Sequence, residues 1–141
     1  MAPPASVPPA SVPPVSATRG PLLIAIAADV VLVLLFALVG RRSHAEAAWS
    51  LPGLAHTAWP FLAGLALGWA RLLMVQRRGR RLDPRRPVVG LLLAACTVGC
   101  GMILRAVTGQ GVALSFIAVA LLVNVATMVG WRFVLSRTAR G

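Results

Sequence analysis

Two groups of polar residues stand out against an apolar background. The first is Asp29, with Asn124 in a separate apolar run. An acid inside an apolar helix is a functional hypothesis in its own right, because it can hold a proton or a cation. An amide facing it can donate or accept, and so can bond either form of the acid. The other reading is structural: Asp29 bonds Asn124, Thr97 or Arg71 and fixes helix register. A proton relay usually needs a chain of titratable groups, and no second acid lies in an apolar run.

The second group gathers where apolar runs end: Arg41, Arg42, His44, Glu46, His56, Arg105 and Gln110. Guanidinium groups present forked donors that match a carboxylate or phosphate. Together these residues could bind a small anion or an anionic lipid. Alternatively headgroups solvate the arginines, or Glu46 and Asp29 pair with them. His44 and His56 have only Glu46 as a third ligand, too few for a metal or haem centre. Cys96 and Cys100, at i and i+4, share a helix face but are too far apart for a relaxed disulfide. They read as small packing residues. No nucleophile–base pair, phosphate loop or zinc-protease motif occurs. The expectation is therefore no enzyme, no cofactor and no metal.

The elements that position these residues follow from composition. The chain has 141 residues, 58% hydrophobic and 12% charged, with mean hydropathy +0.83. Those proportions belong to a membrane protein. Four apolar segments, near 21–39, 57–76, 88–107 and 112–135, are long enough to cross a hydrocarbon core of about 30 Å. In the first, a central aspartate costs about 2.5–3.5 kcal/mol on insertion scales. Thirteen Leu, Ile, Val and Phe residues there return about 4–8 kcal/mol on the same scale, so the segment inserts despite the acid. Trp59 suits an interfacial anchor at the start of the second segment, and Arg71 can snorkel to its end. Gly64 and Gly68 form a GxxxG face suited to close helix approach, within the chain or with a homo-oligomer or membrane partner. Trp131 with Arg132 marks the exit of the fourth segment.

Between the second and third segments lies Arg77-Arg78-Gly79-Arg80-Arg81-Leu82-Asp83-Pro84-Arg85-Arg86. Short arginine-rich loops stay on the cytoplasmic side, which places both termini there too. The net charge of +11 is carried entirely by arginine. These arginines sit at segment ends, so a bilayer explains them better than nucleic acid does. Residues 1–20, with a Pro-Pro-Ala-Ser-Val repeat, read as a disordered cytoplasmic tail and lack the basic start of a signal peptide. Residues 21–136 form the membrane domain and 137–141 a short tail. The expected fold is an all-α four-helix bundle of two transmembrane hairpins, in a bacterial cytoplasmic membrane.

Several stretches also carry a resemblance. Gly40-Arg41-Arg42-Ser43-His44, Thr57-Ala58-Trp59-Pro60-Phe61-Leu62, Leu104-Arg105, Gly109-Gln110-Gly111, Ser115-Phe116 and Gly130-Trp131-Arg132 resemble small actinobacterial membrane proteins. These are grouped as domain of unknown function 3054. The resemblance covers roughly residues 22–135 and implies a four-span bacterial membrane protein, with no mechanism attached. The preferred expectation is a non-enzymatic binding or accessory protein with a basic polar cluster on its outer face. The alternatives are a proton- or ion-coupled transporter using Asp29 and, more remotely, a membrane-embedded enzyme using His44 with Arg41.

Overall fold

The structure, a computed structural model, describes residues 19–43, 50–79 and 83–138. The proline-rich tail, His44, Glu46, Arg80, Arg81 and the last three residues lie outside them. Four helices follow one another: α1 (Arg19–Ser43), α2 (Leu51–Arg77), α3 (Pro87–Val107) and α4 (Leu114–Thr138). No strand occurs among the described residues. Each helix is long and apolar enough to cross a bilayer, so the chain is a multi-pass membrane protein with an all-α four-helix core. Residues 78–79 and 83–86 mark one end of the bundle, called here the arginine end. Ser50 and residues 108–113 mark the far end.

Local chemistry sets where the helices begin and stop. Ser50 caps α2: its Oγ accepts from the Gly53 N–H at 3.3 Å, and Pro52 suits the first turn. The helix therefore starts six residues before the apolar segment expected at 57. Pro87 opens α3 in the same way. At its other end the Thr108 hydroxyl donates to the Leu104 carbonyl at 2.8 Å. Gly109 and Gly111 then turn the chain at φ 71° and 76°, a conformation that side chains with a Cβ rarely adopt.

The two middle helices form the centre. α2 and α3 each bury 44% of their most apolar stretch, against 22% for α1 and 17% for α4. Gly64 allows the close approach of α3, since a methyl there would come within 2.8 Å of the Thr97 carbonyl oxygen. The Gly64–Gly68 face is thus occupied by α3 of the same chain and is not presented outward. Phe61, Leu65, Leu72, Leu93, Val98 and Met102 fill the seam beside it.

Gly90 does the same for α3 and α4. A Cβ at Gly90 would sit 2.5 Å from the Met128 carbonyl oxygen and 3.1 Å from Cδ of Arg132. Gly99 is the natural control, because a Cβ there meets nothing within 4 Å. Gly90→Ala should therefore destabilise the protein by about 1–3 kcal/mol through overpacking. Gly99→Ala should be neutral or slightly stabilising, since alanine is the better helix former. Thermal unfolding of both variants in a neutral detergent checks the contrast.

Candidate functional site

Asp29 is joined to Arg132, on the last helix. Arg132 donates from Nη1 to Asp29 Oδ1 at 2.8 Å and from Nη2 to Oδ2 at 2.6 Å, with both side chains 0% exposed. Trp131 Nε1 donates to Asp29 Oδ1 at 3.1 Å, and the Arg132 guanidinium lies 4.4 Å from the centre of that indole ring. The remaining bonds tie the pair to backbone. Arg132 Nη1 donates to the Met128 carbonyl at 2.9 Å, and Nε to the Pro84 carbonyl at 2.9 Å. One guanidinium thereby links α1, α4 and the 83–86 segment.

Asp29's partner is therefore Arg132, not Asn124, Thr97 or Arg71. Asn124 is buried but turns its amide to its own helix, donating to the Ala120 carbonyl at 2.8 Å. Thr97 is buried with no hydrogen-bond partner for its hydroxyl among the described residues. Arg71 is exposed. The sequence did contain a signal for Arg132. A lone acid in lipid demands a counter-charge, and helix side chains lean toward their own N-terminus. In antiparallel α1 and α4 that lean points Asp29 toward the arginine end and Arg132 away from it, so the two converge.

At the far end, four helices contribute to a cavity of about 120 Å³. Phe36, Ala37, Gly40 and Arg41 come from α1, Thr57 from α2, Arg105 from α3 and Phe116 from α4. Arg41 Nη1 donates to Thr57 Oγ1 at 3.3 Å, and Thr57 in turn donates to the Gly53 carbonyl. Any side chain at Gly53 would overlap the Arg41 guanidinium, so glycine there makes room for it. Arg105 is held by the α3–α4 connection. Its Nη1 donates to Gln110 Oε1 at 3.0 Å, and Nη2 to the carbonyls of Gln110 at 3.0 Å and Gly111 at 3.3 Å. It also lies 4.8 Å from the centre of the Phe116 ring. Phe36, Phe61 and Phe116 pack ring against ring at 5.3–6.2 Å behind the cavity.

Of the residues the sequence singled out, Arg41 and Arg105 meet at this cavity, with Gln110 bracing the second. Trp59 is not part of it: it is 39% exposed on the outside of α2. Arg42 continues α1, and His44 lies outside the described residues. Asp29 and Asn124 belong elsewhere. Phe61 and Phe116 stood in the stretches that carry the family resemblance, but that they pack with Phe36 was not legible, because a phenylalanine in an apolar run does not announce which face it occupies. Among the described residues no group of three potential metal ligands comes together.

The family model for "Protein of unknown function (DUF3054)" matches residues 26–135. The chain belongs to that family. The matched region takes in both Asp29 and Arg132 and the whole cavity lining. No curated protein and no solved structure matches the chain.

Removing one partner of a buried ion pair strands the other charge, at a cost of about 3–5 kcal/mol. Arg132→Met alone should be destabilised by that order. Adding Asp29→Leu to it should restore much of the loss, since an apolar pair of similar volume leaves no stranded charge. Chemical or thermal unfolding of the two single variants and the double variant measures the coupling. Additive losses would rule the pairing out as a source of stability.

Proposed function

We propose that this protein is a non-enzymatic membrane binding protein whose far-end cavity takes an anion. The supporting observation is that arginines from two different spans, Arg41 and Arg105, line one cavity and each have the guanidinium oriented by neighbours. Thr57 adds a hydroxyl to the lining. A carboxylate or phosphate oxygen placed between the two arginines would gain charge-assisted hydrogen bonds in a site partly shielded from water.

The transport reading draws less support. It needs Asp29 to take up and release a cation, yet both carboxylate oxygens already accept bonds from Arg132, and one also from Trp131. That arrangement favours a structural role. The bundle sits, on this reading, in a bacterial cytoplasmic membrane with the arginine end inside, because six arginines in ten residues resist transfer across lipid. The anion cavity then opens toward the outer face.

Two measurements test this. In sealed vesicles, a tag inserted at residue 80 should be accessible only from the cytoplasmic side; access from outside reverses the layout. Purified protein in neutral detergent should gain thermal stability with added acetate or inorganic phosphate, or retain anionic lipid seen by native mass spectrometry. Arg41→Gln combined with Arg105→Gln should weaken that binding at least tenfold, given two charge-assisted contacts at about 1.5–3 kcal/mol each. Identical lipid retention and identical thermal shifts in the double variant would remove the site.

A further inference from the structure

We infer that the anion taken at this cavity is the head of an amphiphile, an oxyanion carrying a hydrocarbon tail that reaches the site from the lipid. This rests on the anion reading above and names the class of ligand. Three observations lead to it.

The first is the lining. Arg41, Thr57 and Arg105 share the lining with Phe36, Ala37, Gly40 and Phe116, so one cavity presents both polar and apolar groups. A fully hydrated anion has no use for the apolar part, whereas a tail attached to the anion would cover it. The second is the level of the cavity in the bundle. Exposed apolar residues flank its lining along the chain: Val39 beside Gly40, Val107 two residues beyond Arg105, and Leu114 two before Phe116. Their exposure runs from 61% at Val39 to 85% at Leu114. Large apolar side chains left that open belong against lipid, so the cavity lies at or just below the headgroup level rather than out in water. The third is the arginines themselves. The Arg105 guanidinium bonds the Gln110 and Gly111 carbonyls just beyond α3, and that of Arg41 bonds Thr57 in the first turns of α2, so both lie at helix ends, where interfacial headgroups are met.

The shared chemistry is a carboxylate or phosphate head on an acyl chain. It has two sources, a free fatty acid or a membrane phospholipid. Each methylene moved from water to an apolar wall is worth about fourfold in affinity, so even two buried methylenes exceed tenfold. A tailless anion of the same head forgoes that gain.

The test uses the full chain in a neutral detergent and four probes: acetate, inorganic phosphate, octanoate and dioctanoyl phosphatidylglycerol. Gly40→Leu serves as a plug. Gly40 lines the cavity, and a Cβ there meets nothing within 4 Å, so the helix accepts a side chain at this position, and a melting temperature no lower than the parent's in the absence of probe checks that the variant folds. The double variant Arg41→Gln with Arg105→Gln corrects for tails that merely dissolve in micelles. Expected is at least tenfold tighter binding of a tailed probe than of the tailless anion with the same head. That advantage should disappear in both variants. Whether octanoate or the phospholipid gains more identifies the source. Equal binding of tailed and tailless probes, lost in the double variant, would overturn the amphiphile and leave the anion reading standing. Tail-dependent binding that survives both variants would overturn it as micelle partition. Binding of no probe at all would overturn both readings.

Discussion

A carboxylate inside one apolar helix and a guanidinium inside another are each expensive in lipid, and the fold is arranged so that neither is alone. Asp29 and Arg132 share two hydrogen bonds with no exposure to solvent. They join the first helix to the last, the two that bury least of their own surface. α2 and α3 can approach each other through glycine and need no charge to do so. α1 has no such seam of glycines against its neighbours, and the ion pair supplies a directional contact in its place. Directionality matters here because apolar packing in lipid does not distinguish one helix rotation from another. A forked pair, further fixed by Trp131, does.

The same pair reaches beyond the hydrocarbon. Arg132 Nε donates to the Pro84 carbonyl, so the connection between α2 and α3 is held to the α1–α4 contact. Gly90 makes this geometry available, since a side chain there would strike both the Met128 carbonyl and the Arg132 stem. The absence of a side chain on α3 is thus a condition for the ion pair between α1 and α4. Three helices and a connection depend on atoms within one small volume near the arginine end.

The helices were legible from the sequence because bilayer thickness sets a length, and four apolar runs of that length stand between polar connections. Their ends were less so. α2 extends back to Leu51 because of a serine cap and a proline, which hydropathy does not register. Arg132 was misjudged because an arginine beside a tryptophan near a segment end has the composition of an interface. α4 in fact continues to Thr138, leaving Arg132 six residues, or about 9 Å of helix, short of that terminus. Only the lean of side chains along antiparallel helices, combined with the unmatched charge of Asp29, distinguishes the two cases. At the far end, Arg41, Arg105 and Gln110 were visible as polar residues at a boundary. Which of the boundary residues converge was not visible, since that depends on helix rotation. Rotation brings Arg41 and Arg105 together and turns Trp59 outward.

The two ends of the bundle fix arginine side chains through different partners. At the arginine end Arg132 meets a full negative charge, and the pair as a whole presents little field to its surroundings. At the far end the bonds from Arg41 to Thr57, and from Arg105 to Gln110 and Gly111, go to neutral oxygens. Bonds of that kind fix where a guanidinium points, and an aromatic face beneath it does likewise. A side chain held by dipoles has already given up much of its conformational freedom, so the anion proposed above would not need to order it again. Preorganisation combined with a cavity bounded by phenylalanines distinguishes Arg105 from Arg78, Arg85 and Arg86, which are exposed. Charge alone does not set the far-end pair apart from the other arginines; orientation against an apolar wall does.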